Sequence, residues 1–389
     1  MNRSIQKLRF TGLNLNDKPT GGLDRAHPSE ELLNMFAQFF NNNAAFECLE
    51  VDEESVDKLR AIASLLQRCS SLKELILVNE NAWSQCGRTG ESVRYINRVD
   101  TVLEALIGHT GLRKLTIADA KIGVGGSNSL AMILQNPTIN LTSLTLNATE
   151  MYDSRRSYRD LDYYFNHDKD SDNESEEEDV DKDGVGVETV KGKDEEIDVD
   201  TDDEDDATAA QAAKIFASGL CGNVTLKELE ISHMGYVTSR QNSAYPEKTV
   251  QISTAGWQAI FVALQSSKCG LEKLSLHENY SIGASILSLP SALENHTTTL
   301  KTLNLCSMFL GNDLNMTDGD SRWTAFFQFL QDPKCALEVF DLSYNDISDE
   351  GLHALATALE CNSKLRELNL DGNSCDTGTG WEAFFRRFT

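Results

Sequence analysis

The sequence predicts an α/β solenoid, a horseshoe of about ten repeats with a parallel β-sheet on the concave face and helices on the convex face. Three observations carry this. Residues 337–370, LEVFDLSYNDISDEGLHALATALECNSKLRELNL, hold apolar side chains at positions one, four and six (Leu337, Phe340, Leu342), then Asn345 and Ile347 at positions nine and eleven. Leu352, Leu355, Ala356 and Leu359 follow at helical spacing. The pattern restarts 28 residues after Leu337, at Leu365, Leu368 and Leu370, with Asn373 in the place of Asn345. A recurring strand, turn and helix of this length marks a repeat architecture.

The one-four-six set predicts strands starting at Ile5, Phe46, Leu72, Leu112, Leu141, Leu226, Leu271, Leu300, Leu337 and Leu365. Four of the nine intervals lie within 26–29 residues; the others are lengthened by inserts at turns. Residues 21–40, with a helical stretch from Ser29 to Phe40, belong to the first repeat. Further helices are predicted from three stripes: Leu59, Ile62, Ala63 and Leu66; Val99, Val102, Leu103 and Leu106; Leu130, Ile133 and Leu134. In the ninth repeat Ser348 is the N-cap, and Ile347 and Leu352 stand where a hydrophobic staple would form. Later helices share a second pattern, Trp257-Gln-Ala-Ile-Phe, Trp323-Thr-Ala-Phe-Phe and Trp381-Glu-Ala-Phe-Phe, read as core packing and not as a cofactor box. No proline interrupts a predicted strand, as a continuous sheet requires.

Strands pack ~4.8 Å apart, whereas helices with their side chains need ~10 Å. Stacking one of each per repeat therefore bends the sheet into an inner wall. No unit buries its apolar face alone, so neighbours must do it. The last helix, Trp381 to Phe388, is placed to cap the C-terminal end.

The net charge of −26 is concentrated. Residues 168–206 contain 21 Asp and Glu against 4 Lys, leaving only −9 for the rest of the chain. Such a balance repels phosphate backbones and argues against nucleic acid as a direct partner; a basic protein surface suits it better. Of the nine cysteines, Cys69, Cys221, Cys269, Cys335 and Cys361 lie just before a strand, where small buried hydrophobes fit. No spacing suits zinc. The N-terminus lacks the apolar core of a signal peptide, and no apolar run approaches the ~20 residues of a spanning helix. A reducing compartment, cytosol or nucleus, is expected.

With these residues in view, the 28–29-residue units, and above all NDISDEGLHALATALECNSKLRELNL, resemble the ribonuclease-inhibitor-like leucine-rich repeat proteins. Ribonuclease inhibitor, Ran GTPase-activating proteins and the repeat regions of NLR-type proteins form that class. The resemblance implies a horseshoe whose concave strand face recognises a protein. It spans residues 1–152 and 207–389 as two halves of one solenoid, interrupted by an acidic insertion at 153–206.

The insertion has too few large apolar residues to offset chain entropy and is expected to be disordered. The helix is expected to resume at Ala207–Leu220, with Ala212, Ile215, Phe216 and Leu220 facing the core. Asp179, Asp181, Asp183 and Gly184 match the opening of an EF-hand loop, but the twelfth position is Val190, so the run is read as solvated acids. Ser171, Ser175 and Thr201, followed by acids, are candidate sites for an acidophilic kinase of the casein-kinase-two type. Gly123, Gly125 and Gly126 resemble a phosphate-binding turn, yet they fall where strand passes into helix, and the structural reading is preferred. The glycines at 184–193 lack Walker spacing.

Function is assigned to the concave face, at positions five, seven and eight of each repeat. The candidate protein-binding residues are Glu230, His233, His277, Glu278, Asn304, Asp341, Tyr344, Asn369 and Asp371, with Ser232, Ser275, Cys306, Ser307, Ser343 and Gly372 between them. Glu50, Asp52, Glu53 and Asp119 extend an acidic face, against Arg9. His233, His277 and Glu278 invite a metal or acid–base reading. They are read as solvated groups of a binding surface, and no catalytic residue, cofactor or metal is assigned. Asn279, Asn345 and Asn373, at position nine, are expected to bond turn backbone. The leading expectation is a non-catalytic interaction scaffold. The alternatives are a GTPase-activating regulator of a Ran-type GTPase, which the resemblance suggests, and an acidic chaperone of basic proteins acting through 168–206.

Overall fold

A computed structural model of the 389-residue chain describes residues 6–11, parts of 34–42, 46–52, 56–69, 71–78, 83–86, 91–94, 97–147, 150–152, 202–234, 252–280, 282–314, 319–360, 362–373 and 379–386. Ten strands form one parallel sheet in chain order. They are β1 Lys7–Thr11, β2 Cys48–Asp52, β3 Glu74–Val78, β4 Lys114–Ala118, β5 Ser143–Asn147, β6 Glu228–Ser232, β7 Lys273–Ser275, β8 Thr302–Asn304, β9 Val339–Asp341 and β10 Glu367–Asn369. Every strand begins two residues after the start its apolar set predicts, so the repeat frame is right in all ten.

Alternation explains the frame. In β4 and β5 the Leu and Ile side chains point one way and are buried while their neighbours stay half-buried or exposed, and β6 follows the same alternation except that Ser232 is buried as well. Leu112, Leu115 and Ile117 of one repeat, and Leu271, Leu274 and Leu276 of another, are at most 1% exposed. Each strand meets the next in the same register, Leu144 opposite Leu229, Leu229 opposite Leu274, Leu274 opposite Leu303, so equivalent leucines stack into continuous rows. At the C-terminal edge the rows are incomplete: Leu365, Leu368 and Leu370 are only half-buried.

Helices cover one face of the sheet. They are α1 Val56–Leu66, α2 Asp100–Leu106, α3 Val124–Gln135, α4 Asp202–Gly222, α5 Thr254–Ser266, α6 Leu289–Leu293, α7 Leu310–Leu314, α8 Gly319–Phe326, α9 Asp349–Leu359 and α10 Thr379–Arg386, with 3-10 turns at Gly283–Ser288 and Phe327–Gln331. The three predicted stripes are buried throughout. Ser348 caps α9, its Oγ accepting from the Gly351 N–H at 3.2 Å. Ile347 and Leu352 are both fully buried beside it. Trp257 and Trp323 are core residues, each with its ring against the Phe four residues on. The third copy differs: Trp381 is half-buried and Phe385 is 59% exposed, and among the described residues no further helix packs over α10.

Four sequence expectations change. Helix α4 starts at Asp202, not Ala207. Of its expected core residues Ala212, Phe216 and Leu220 are buried and Ile215 is half-buried. Cys221 is exposed, unlike Cys69, Cys269 and Cys335, because it falls on the solvent side of the last turn of α4. Two smaller sheets appear that the sequence did not predict, a parallel one of Asn97–Arg98, Ala120–Gly123 and Glu150–Tyr152 and an antiparallel pair of Trp83–Cys86 and Glu91–Arg94. Segments of two to four residues are too short to show a period.

The sheet is unbroken where the long insert falls, since β5 pairs with β6 over five residues. Ile5, Ser29, Glu53, Cys361, the run 153–201 with Ser171, Ser175, Thr201 and the EF-hand-like acids, and the end of the last predicted helix lie outside the described residues. Among the described residues no helix is long and apolar enough to cross a membrane, and Cys48, Cys69, Cys221, Cys269, Cys306 and Cys335 are free thiols. Burial pushes the Cys69 thiol up to about 12, as suits an inert core residue.

Candidate functional site

The site is built from the turn that follows each strand. Position eight has a left-handed backbone in Asp119, His233, Glu278, Ser307, Tyr344 and Gly372, with φ between 51° and 65°. Only the last is glycine. The chain must reverse its curl here to leave the sheet, and five non-glycine residues accept the strain. Gly372 is needed for a second reason: a Cβ there would lie 2.4 Å from the Tyr344 ring.

Position nine holds the turns together. Asn345 Oδ1 accepts from the Met308 N–H at 2.9 Å, and its Nδ2 donates to the Leu305, Leu342 and Ser343 carbonyls at 2.7, 3.0 and 3.1 Å. Asn279 repeats this, accepting from Met234 N–H at 2.9 Å and donating to Ile231 and Leu276. Asn373 accepts from Asn345 and Ile347 N–H groups, both at 3.1 Å. Each amide spans its own repeat and the one before. Asn279 and Asn345 are fully buried, so these groups are structural, as expected.

Position five has a local duty that the sequence reading missed. Asn304, Asp341 and Asn369 each accept, through Oδ1, the backbone N–H two residues on, at 3.0, 2.9 and 3.1 Å. These are Asx turns. Asp341 Oδ2 also accepts from Asn369 Nδ2 at 3.2 Å. Position seven is partly withdrawn from solvent: Ser232 and Ser343 are buried, as is Ser275 at position five. Glu50 is not a free concave acid, because it is buried beside Arg9 and Lys7 and pairs with both.

The outward-facing remainder is therefore narrower and more aromatic than predicted. His233, His277 and Glu278 are half-buried neighbours, and Tyr344 and Asp371 are exposed, with Tyr344 Oη 3.5 Å from Asp371 Oδ2. Tyr280 and Phe309, at position ten of adjacent repeats, lie 5.0 Å apart between centroids with their rings tilted by 39°, and are 38% and 43% exposed. Counting two residues beyond position eight would have found them. His233 Nδ1 lies 2.9 Å from Glu278 Oε2, and the His277 ring meets the His233 ring edge-on at 5.3 Å. Burial holds the His277 imidazole below its ordinary value; Glu230, Glu278 and Asp341 pull the other way.

The glycine turn at 123–126 is closed to anions. Asp100 Oδ1 accepts from the Gly123 N–H at 2.8 Å at the start of α3, and a Cβ on Gly126 would fall 2.2 Å from the same oxygen. A carboxylate of the chain already occupies the place a phosphate would take.

The repeat frame, the sheet and the position-nine amides together decide the class. These repeats are ribonuclease-inhibitor-like. Comparison with known proteins agrees: the chain is 30% identical over 126 residues to the ribonuclease inhibitor of Sus scrofa, covering 32% of this chain and 26% of that protein. It is 35% identical over 116 residues to the NACHT, LRR and PYD domains-containing protein 5 of Mus musculus, covering 30% of this chain and 9% of that protein. The chain thus matches about a quarter of the length of the inhibitor. No family model matches it. Among solved structures it resembles an internalin from Listeria monocytogenes at 11% identity and a TM-score of 0.32, covering 89% of this chain and 73% of that one. Rad7 in complex with Elc1 from yeast aligns at 12% identity and a TM-score of 0.32, over 92% and 81% of the two chains. The ribonuclease-inhibitor-like assignment rests on the repeats themselves.

Proposed function

We propose that the chain is a non-catalytic scaffold that takes a protein partner on the second half of its concave face, from β6 to β10. The observation that carries this is the exposed aromatic set Tyr280, Phe309 and Tyr344 on the turns after three successive strands, with Asp371 3.5 Å from the Tyr344 hydroxyl and Glu278 two residues before Tyr280. Solvent-exposed aromatics on a rigid sheet edge are the residues that supply hot spots. Acidic neighbours with few bases among them favour a partner presenting Lys and Arg, and set its orientation. Asn304, Asp341 and Asn369, though on this face, serve mainly to hold it in shape.

The ribonuclease inhibitor of Sus scrofa is by its name a protein that acts on another protein, and the shared repeats support the same mode of recognition here. They do not extend to the identity of the partner. A cytosolic or nuclear setting fits the free thiols. The reading is tested by affinity capture from the native source with the wild-type chain and with the Phe309→Ala/Tyr344→Ala double variant. A partner held by the first and weakened by at least about 30-fold in the second is expected. Equal capture by both would overturn it.

A further inference from the structure

Three donors converge on the concave face in a way the strand register dictates. His233 stands at position eight after β6, and His277 and Glu278 at positions seven and eight after β7. Glu228 pairs with Lys273 and Glu230 with Ser275, so the two turns leave the sheet side by side. The His233 N–H donates to the His277 carbonyl at 3.3 Å, which ties them together. One ligand atom from each of the three side chains lies within 4.8 Å of the other two.

We propose that His233, His277 and Glu278 form a binding site for a divalent transition metal of the zinc type, with a further coordination position open to the concave face. Two imidazoles and a carboxylate are the donor set that zinc takes in three-ligand sites, whereas calcium and magnesium prefer oxygen alone. Tetrahedral zinc holds its ligand atoms ~3.4 Å apart, so the present spacing closes by side-chain rotation. The His233 and Glu278 side chains, 27% and 30% exposed, already meet at 2.9 Å, so two of the three donors stand together before any metal binds. Ser275 Oγ, 2.9 Å from His277 Nδ1, fixes that ring and leaves its Nε2 for the metal. Glu230 and Asp341 add negative potential around it.

The site goes beyond the scaffold reading and is tested without any partner. The full chain, stripped with a chelator, is titrated with Co(II) followed by visible absorption and with Zn(II) followed by calorimetry. One equivalent is expected to bind, with d–d bands of a site having nitrogen ligands. His233→Ala, His277→Ala and the shape-conserving Glu278→Gln are each expected to weaken binding by about 100-fold, and Ser275→Ala by about tenfold. His353→Ala, on the exposed side of α9, is expected to leave it unchanged. Circular dichroism identical to wild type shows that each variant is folded. Binding weaker than about 1 mM, or binding that persists in the His233→Ala/His277→Ala double variant, would overturn the proposal.

Discussion

Asn345 and Asp341 stand four residues apart, and the difference between them shows what a repeat asks of a single side chain. Asn345 is buried and satisfies backbone groups of two repeats, so Asn345→Ala leaves an N–H and several carbonyls without partners. A loss of about 3 kcal/mol is expected in urea unfolding. On a recognition role alone, Asp341→Ala would cost the fold nothing. Its Asx turn and its bond from Asn369 instead predict a loss of about 1 kcal/mol. His109 is the other informative residue. Its Nε2 is hydrogen-bonded to the Cys69 carbonyl, and its buried Nδ1 has no partner among the described residues. Burial holds its pKa below the ordinary value, the Cys69 bond opposing and Arg113 assisting. The neutral ring is thus the native form. Its contribution is full above the unfolded value of about 6.5 and is lost as pH falls through the lower folded value. The urea midpoint is expected to drop as pH falls below about 6.5, and to drop less in His109→Gln, which keeps a donor for Cys69.

At the scale of elements, strand and helix identity were legible because apolar residues recur with a period of two in one segment and near 3.6 in the next. The constant two-residue offset of every strand follows from the same pattern: Leu112, Leu226 or Leu337 at position one packs against the core before ladder hydrogen bonding begins. What the pattern could not show is the left-handed turn residue, since Glu278, Ser307 and Tyr344 are not residue types that announce a positive φ. Nor could it show that position five braces the turn, because an Asx turn and an exposed recognition residue call for the same Asn or Asp. The N-cap of α9 was legible and is testable. Ser348→Ala removes the acceptor for the Gly351 N–H and is expected to cost about 1 kcal/mol in thermal or urea unfolding.

For the whole molecule, the pairing of β5 with β6 is decisive. These strands are 85 residues apart in sequence yet meet in the same register as their neighbours, Ser143 opposite Glu228. The sheet therefore does not depend on the acidic run for its continuity. Deleting residues 168–201 is expected to leave far-ultraviolet circular dichroism per folded residue and a single cooperative unfolding transition in place. Two separate transitions would show instead that the halves 1–152 and 207–389 are independent units. Acidity concentrated in 168–206 also means that removing it changes the protein's net charge far more than its fold, and binding that depends on that segment is expected to weaken steeply with salt.

The strained head of each turn has one further consequence. Where an L-residue is held at positive φ, the native state bears a conformational cost of order 1 kcal/mol. The horseshoe thus displays its chemistry from a row of pedestals that would each be more comfortable as glycine. Replacing Ser307 with glycine should make the chain sturdier, and doing the same at Tyr344 should make it sturdier and blind at once.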